Sequence, residues 1–229
     1  MRLDLLAAMK LEADARRACV LITEVSNGAQ HLLLASAEPK DLVEDAAQQA
    51  FLAGDSRLAR VEGREYFFTV ALPAPRLVIV GASHVGQALA SMSLTAGFDV
   101  IVVDPREAFA SEARFPGIKV IRQWPQEAFR QTPLDPFCAV ALIAHNSSID
   151  DPGLFAALDA GCFYIGALGS QRTRDARIKR LAAAGRDFDA DRIHAPIGLD
   201  IGAKTPAEIA IAILAELVSV MRHGSMRRG

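Results

Sequence analysis

Cysteine is scarce in this chain. Among 229 residues there are three, Cys19, Cys138 and Cys162. An odd number at these separations argues against a disulfide framework, and the spacing matches no zinc-binding pattern. Cys138 and Cys162 lie in apolar, strand-like runs, so buried free thiols in a reducing cytoplasm are expected.

A surplus of positive charge is missing as well. The 25 Lys and Arg are balanced by 27 Asp and Glu, for a formal net charge of −2. That argues against a sequence-independent hold on nucleic acid, which needs a basic surface. No apolar run approaches the roughly 20 residues that cross a bilayer. The opening MRLDLLAAMKLEADARR carries Asp4, Glu12 and Asp14 where a signal peptide would be uninterruptedly apolar, and it reads as an amphipathic helix. There is no nucleophile elbow, no Walker lysine, no paired carboxylates at a diagnostic spacing and no internal repeat. With 51% hydrophobic residues, an ordinary folded domain is expected.

The segment LPAPR, Leu72–Arg76, sets two prolines ahead of a change in pattern and is expected to separate residues 1–72 from residues 73–229. In the first part, helices over Leu3–Arg17 and Lys40–Ala53 alternate with strand-like CVLITEV, HLLLA and YFFTVAL. This is a small α+β unit near the lower size limit for independent stability. The second part alternates regularly. RLVIV, FDVIVVD, IKVI, FCAVALIA and CFYIGAL read as buried parallel strands, and His84–Ala96 as a helix ending at Gly97. Between FCAVALIA and CFYIGAL a helix is expected, with Asp151 as its cap, Pro152 in its first turn and Gly161 at its exit. In TPAEIAIAILAELVSVMRHG, Thr205 and Glu208 form a capping box with Pro206 at the first helical position, and Gly224 follows the end. That helix is apolar on nearly every side, which suggests a buried layer or a homodimer contact. SMRRG reads as a frayed tail. The alternation predicts an α/β fold, a doubly wound parallel sheet of Rossmann type, preceded by the α+β subdomain.

In such a sheet the strand-to-helix loops share one edge, where ligands bind. The first of these loops, Gly81, Ala82, Ser83, His84, Val85 and Gly86, departs from G-x-G-x-x-G by a serine at the second glycine. Gly81 supplies the tight turn and Gly86 permits close helix–strand packing. Ser83 crowds the approach to a pyrophosphate, and its hydroxyl could donate a hydrogen bond in partial compensation. The spacing from Gly81 to Asp104 is close to the roughly 20 residues expected of a ribose-binding acid. An aspartate there favours NAD over NADP; Arg106, two residues on, weakens that preference. The bland alternative is a tight turn beside a solvated aspartate.

A second stretch, GALGSQRTRDARIKRL, places Gly169 and Ser170 after a strand and Arg172, Arg174 and Arg177 at a helix N-terminus, where the macrodipole disfavours cations. For Arg172 and Arg174 that points to an anion from outside; for Lys179 and Arg180 a solvated, salt-bridged face suffices. A third, IHAPIGLDIGAKTP, has neither strand nor helix period and reads as a rigid apolar loop that shapes a pocket. Its one acid, Asp200, is as readily a turn residue as a ligand contact. His84, His145 and His194 fall near the same edge, and His84 and His145 are ligand-side candidates. No spacing supports a metal, and no catalytic residue is identified.

Together, LVIVGASHVGQALA, VVDPR, YIGALGS and RIHAPIGLDIGAKTPAEIAIAILAE resemble the XdhC/CoxI family, accessory proteins of xanthine dehydrogenase and carbon monoxide dehydrogenase. The resemblance covers Arg76 to Gly224. It implies a Rossmann-like domain that binds molybdenum cofactor, as molybdopterin or its cytosine dinucleotide, and delivers it to an apo molybdenum hydroxylase; an NAD(H)-type ligand would also suit the domain. By the same resemblance Gly81, Ser83, His84, Gly86 and Asp104 line the nucleotide side. Arg172, Thr173, Gly198, Leu199 and Asp200 face the rest of the pocket. Family members also carry G-S-x-P and G-G-C-x-E motifs, which this chain lacks, so sulfuration chemistry is not carried over. The implied role is that of a cofactor-binding accessory protein; the alternative reading is an NAD(P)-dependent oxidoreductase.

Overall fold

The computed structural model describes residues 2–183, 185 and 188–223. Gly224 and the SMRRG tail lie outside the described residues. The chain forms two compact units that part between Ala74 and Pro75, inside the proline-bearing segment.

The first unit runs α1 (Leu3–Asp14), β1 (Cys19–Glu24), β2 (Gln30–Leu34), α2 (Leu42–Ala53), β3 (Arg57–Val61) and β4 (Arg64–Ala71). Its antiparallel sheet has the order β2-β1-β4-β3. Asp41 starts α2 by accepting from the amides of Val43 and Glu44, and Gly54, at φ 78°, ends it. The buried side of α2, Ala47 and Ala50, closes over Val20, Ile22, Leu33 and Phe68. The sequence pattern missed β3. Arg57 and Arg60 break its apolar alternation, and a tight turn at Glu62 and Gly63, both with positive φ, returns the chain along β4.

The second unit continues with β5 (Arg76–Val80), α3 (His84–Thr95), β6 (Asp99–Val103), β7 (Lys119–Ile121), α4 (Pro125–Gln131), β8 (Cys138–Leu142), α5 (Ser147–Asp159), β9 (Tyr164–Ala167), α6 (Gln171–Ala183), β10 (Ile193–His194) and α7 (Pro206–His223). The six strands are parallel in the order β10-β9-β8-β5-β6-β7. Successive side chains of a strand point to opposite faces, so β5 feeds two cores at once. Leu77 and Ile79 pack with Leu89, Ile213 and Leu217 from α3 and α7. Val78 and Val80 pack with Leu154 and Leu181 from α5 and α6. Both faces are covered, as a parallel sheet requires.

Two expectations need correction here, and one element was missed. The helix after β8 begins at Ser147, because Asn146 captures the amide of Ser148 at 3.0 Å. Asp151 and Pro152 therefore lie inside α5, and Asp151 turns to arginines of α6. Residues 193–194, assigned from sequence to an irregular loop, pair with β9 as a two-residue sixth strand, too short to show a period. The short helix α4, with Pro125 at its start, also escaped the pattern. At α7 the capping box forms: Glu208 accepts from the amides of Lys204 and Thr205 at 2.8 Å, and Thr205 Oγ1 accepts from Glu208 at 3.3 Å.

Candidate functional site at the C-terminal sheet edge

Counting β5 as the first strand, the spatial order is 3-2-1-4-5-6, with a topological switch between β5 and β8, the place where open sheets of this kind bind ligands. Gly81 follows β5 at this switch with φ +115°. A Cβ there would lie 2.6 Å from the Cα of Ala144, so only glycine lets the two loops meet. A Cβ on Gly86 would lie 2.6 Å from the Gly81 carbonyl, which explains that glycine too.

Ser83 caps α3. Its hydroxyl oxygen accepts from the Gly86 amide at 3.1 Å, which leaves its proton free to donate. The buried Ala82 spends its amide on Asp104 at 2.8 Å. The amides of His84 and Val85 have no acceptor among the described residues. They are the orphan donors of the helix start, at the positive end of the α3 dipole, where negative charge is favoured. The His84 side chain is exposed.

At the end of β6, Asp104 departs from its expected role. It is fully buried and accepts four bonds: from Ala82 N at 2.8 Å, and from Arg106 N, Nε and Nη2 at 2.9, 2.9 and 2.7 Å. A carboxylate has about four lone-pair sites, so none is left for a ribose hydroxyl in this arrangement. Burial works to raise its pKa, but the Arg106 fork and the two amides outweigh it and hold the carboxyl below its usual range. Asp104 fastens the glycine loop to β6.

Beyond β8, His145 is exposed and adopts φ 57°, an uncommon conformation for a non-glycine residue. Asp150 supports the turn by accepting from the Ala144 amide at 3.1 Å. Burial pushes the Asp150 carboxyl up. Arg177 lies 3.9 Å from Asp150 and 3.6 Å from Asp151, and Arg180 makes a two-point bridge to Asp151 at 2.8 and 3.1 Å. Two of the arginines of α6 are thus neutralised within the chain.

The start of α6 divides the remainder. Gly169 has φ +138°, and Ser170 Oγ lies 3.2 Å from Thr173 Oγ1 and 3.4 Å from its amide. Arg174 stands 4.0 Å from Asp191. Arg172 is exposed and has no carboxylate partner among the described residues, so its charge at the helix start is uncompensated.

The loop after β10 forms one wall of a cavity of about 540 Å³ lined by Leu168, Pro196, Ile197, Leu199, Ile209 and Ala212, with Gly198 and the exposed Asp200 also on it. Its anchor was not foreseen. Glu216 of α7 accepts from the Gly198 amide at 2.8 Å and the Tyr164 hydroxyl at 2.6 Å, and faces His194 Nδ1 at 3.2 Å. The rings of His194 and Tyr164 stack at 4.7 Å. The signal was there to find: a lone carboxylate in the apolar run of the last helix. No His, Cys, Asp and Glu group suited to a metal occurs among the described residues. Nor is any described helix long and apolar enough to cross a membrane.

Residues 77–217 match the model of the XdhC Rossmann domain. The chain is similar to a probable xanthine dehydrogenase subunit of Bacillus subtilis, 30% identical over 152 residues, which are 66% of this chain and 44% of that protein. It is 33% identical over 152 residues to the molybdenum cofactor insertion chaperone PaoD of Escherichia coli, covering 66% of this chain and 42% of the other. It is 32% identical over 160 residues to the uncharacterised Escherichia coli protein YqeB, 69% of this chain and 29% of that one. The chain therefore spans less than half the length of these curated relatives. A solved structure described as a xanthine dehydrogenase from Bacillus halodurans shares the fold, with a TM-score of 0.72 over 96% of this chain and 67% of that one at 23% identity.

Proposed function

The chain belongs to the XdhC family, whose Rossmann domain it carries over residues 77–217, and on that premise we propose that it binds molybdenum cofactor and hands it to a molybdenum hydroxylase. One observation carries the reading. The unused amides of His84 and Val85, the uncompensated Arg172 and the apolar cavity beside Gly198 all belong to loops at the C-terminal edge of one parallel sheet. The cavity volume falls in the range of pockets for cofactor-sized ligands. The glycines at 81 and 86 let the loop after β5 pack directly against the Ala144 backbone and the start of α3, which fixes the His84 and Val85 amides at this edge.

In this reading the helix starts at His84 and Arg172 hold the phosphate portion, Ser83 and Thr173 donate hydroxyl hydrogen bonds, and the loop over residues 196–203 covers the ring system and excludes water. Glu216 keeps that loop in register by holding the Gly198 amide. The bound cofactor supplies the oxygen-transfer chemistry of the client enzyme; the residues of this chain bind, orient and shield it. In the same reading His145, exposed after β8 with φ 57°, contacts the ligand from the far side of the switch. The protein works inside the cytoplasm as a homodimer built on the apolar last helix, where Ile211 remains 49% exposed. Both the molybdopterin and the cytosine dinucleotide forms are phosphate-bearing and meet the same donors.

A second reading, an NAD(P)-dependent oxidoreductase, draws on the 3-2-1-4-5-6 strand order shared with dinucleotide-binding folds. The two separate cleanly. Purified protein is oxidised and its extract examined for pterin fluorescence, then titrated with cofactor, and the hydroxylase activity of a deletion strain is measured. Copurified or titratable pterin together with lost hydroxylase activity supports delivery. No cofactor affinity and an unaffected hydroxylase would end that reading, and hydride turnover from NADH or NADPH would install the second.

A further inference from the structure

The closed state of Asp104 carries a consequence for what the edge of the sheet can bind. In a dinucleotide site the acid after the second strand takes the ribose hydroxyls. Here its four acceptor positions are filled, three of them by Arg106. The carboxylate is fully covered while the guanidinium side chain stays 34% exposed, so the group turned outward is a cation. One face of the guanidinium rests on the Phe109 ring, 4.6 Å from its centroid, which holds it flat. The fork to Asp104 and the ring fix it in place and leave Nη1 without a hydrogen-bond partner among the described residues.

A second arginine reinforces the sign. Arg114 reaches the same loop and donates to the carbonyls of Ala82 and Phe109 at 2.9 and 2.6 Å and to Gln87 Oε1 at 3.3 Å, all neutral acceptors. No carboxylate among the described residues matches its charge, whereas Glu112 is drawn to Arg122 at 3.4 Å. Glu107 remains as an exposed carboxylate in this loop, and Asp104 is shielded from any ligand.

We infer that the end of β6 receives a phosphomonoester, not a free ribose diol, and that Arg106 is the residue that selects it. The inference rests on the reading of this edge as a nucleotide or pterin-phosphate site, and it names the form of ligand that site takes. A ribose diol would have to displace Arg106 from Asp104, leaving a buried carboxylate with fewer partners. A phosphate dianion finds the rigid cation already oriented, by charge-assisted hydrogen bonds that cost no rearrangement. The phosphate belongs either to a nucleotide ribose or to the side chain of a pterin.

The test uses the intact protein and its own reporter. Trp124 is the single tryptophan, 45% exposed after β7, in a segment tied to the Arg106 loop by a 2.8 Å bond from Arg122 Nε to the Ala110 carbonyl. Quenching of its fluorescence is followed with two matched pairs: NADPH against NADH, and a 6-alkylpterin phosphate against its dephosphorylated alcohol. At least one pair should show about a tenfold preference for the phosphorylated member. The pair that does so identifies the source of the phosphate. Arg106→Gln should remove the preference, chiefly by weakening the phosphorylated member. Should that variant fold poorly, Arg106→Lys keeps the charge without the fork and should retain only part of the preference. Equal or greater affinity for the unphosphorylated member in every pair that binds overturns the inference and leaves the binding reading standing. Failure of all four probes to bind removes the reading, and the inference with it.

Discussion

Replacing Glu216 with alanine should loosen the wall of the cavity, and the size of the effect can be worked from its contacts. Glu216 is the common acceptor for the Tyr164 hydroxyl at 2.6 Å and the Gly198 amide at 2.8 Å. Tyr164 is 1% exposed, so alanine at 216 strands a buried phenol as well as a backbone donor. A stranded buried donor costs about 1–3 kcal/mol, and water reaches the half-buried Gly198 more easily than Tyr164. The expected loss is about 2–4 kcal/mol, read from urea unfolding with an unchanged m value. Tyr164→Phe removes the donor instead of stranding it and should cost about 1 kcal/mol. Because the two groups share one bond, the double variant should cost less than the sum of the single ones. The pH dependence gives an independent check. Burial works to raise the Glu216 carboxyl, but bonds from His194, Tyr164 and Gly198 outweigh it and hold its pKa below the usual value. A lowered folded pKa gives a contribution fully present above the unfolded pKa and lost as pH falls through the folded one. Glu216→Gln should therefore flatten the acid side of the stability profile. A loss under about 0.5 kcal/mol for Glu216→Ala, or strict additivity with Tyr164→Phe, would refute the assignment of Glu216 as the loop's anchor.

Other outcomes follow from single contacts. Gly81→Ala combines a φ of +115° with a Cβ set against the Ala144 backbone, and should lower stability by about 3 kcal/mol or more in thermal unfolding; a melting point within a degree of the parent would contradict the close approach. Arg172→Glu should weaken cofactor binding by about tenfold or more without moving the melting temperature, since Arg172 is exposed and unpaired by any described carboxylate; unchanged affinity in a titration would take it out of the site. Asp150 has a folded pKa raised by burial, so its contribution falls as pH rises from the unfolded value through the folded one; Asp150→Asn, which keeps an oxygen for the Ala144 amide, should lessen that decline in urea titrations at several pH values. The three cysteines are buried thiols outside any disulfide, and burial pushes the Cys162 thiol up, so a thiol reagent should label none at neutral pH until denaturant is added.

Local chemistry made much of the second unit readable. RLVIV and the glycine that follows it are apolar and β-branched up to a residue that only a turn wants, and β5 and α3 begin where that pattern changes. The capping box at Thr205 and Glu208 is a three-residue device and forms as written. Elements that rely on neighbours were less visible. β10 exists because β9 offers it an edge, and β3 because β4 returns beside it. Asp151 and Pro152 have the right chemistry for a helix start, yet Asn146, upstream of both, reaches an unused amide first and the helix begins there. Asp104 and Arg106 stand close together in the chain, but that the carboxylate would be sealed by the fork depends on burial and side-chain conformation, which spacing does not encode.

By itself the sequence determined the alternation of apolar strands and amphipathic helices, the parallel sheet this demands, and the edge to which its loops must come. Periodicity and turn chemistry act over a few residues, and a run of amino acids records them directly. Only the tertiary structure decided which charges remain outward. It buried Asp104 under Arg106, spent Arg177 and Arg180 on Asp150 and Asp151, left Arg172 uncompensated and hung the cavity wall on Glu216. Those outcomes follow from distances between segments far apart in the chain, where a few ångströms determine whether a charge meets its partner or a ligand.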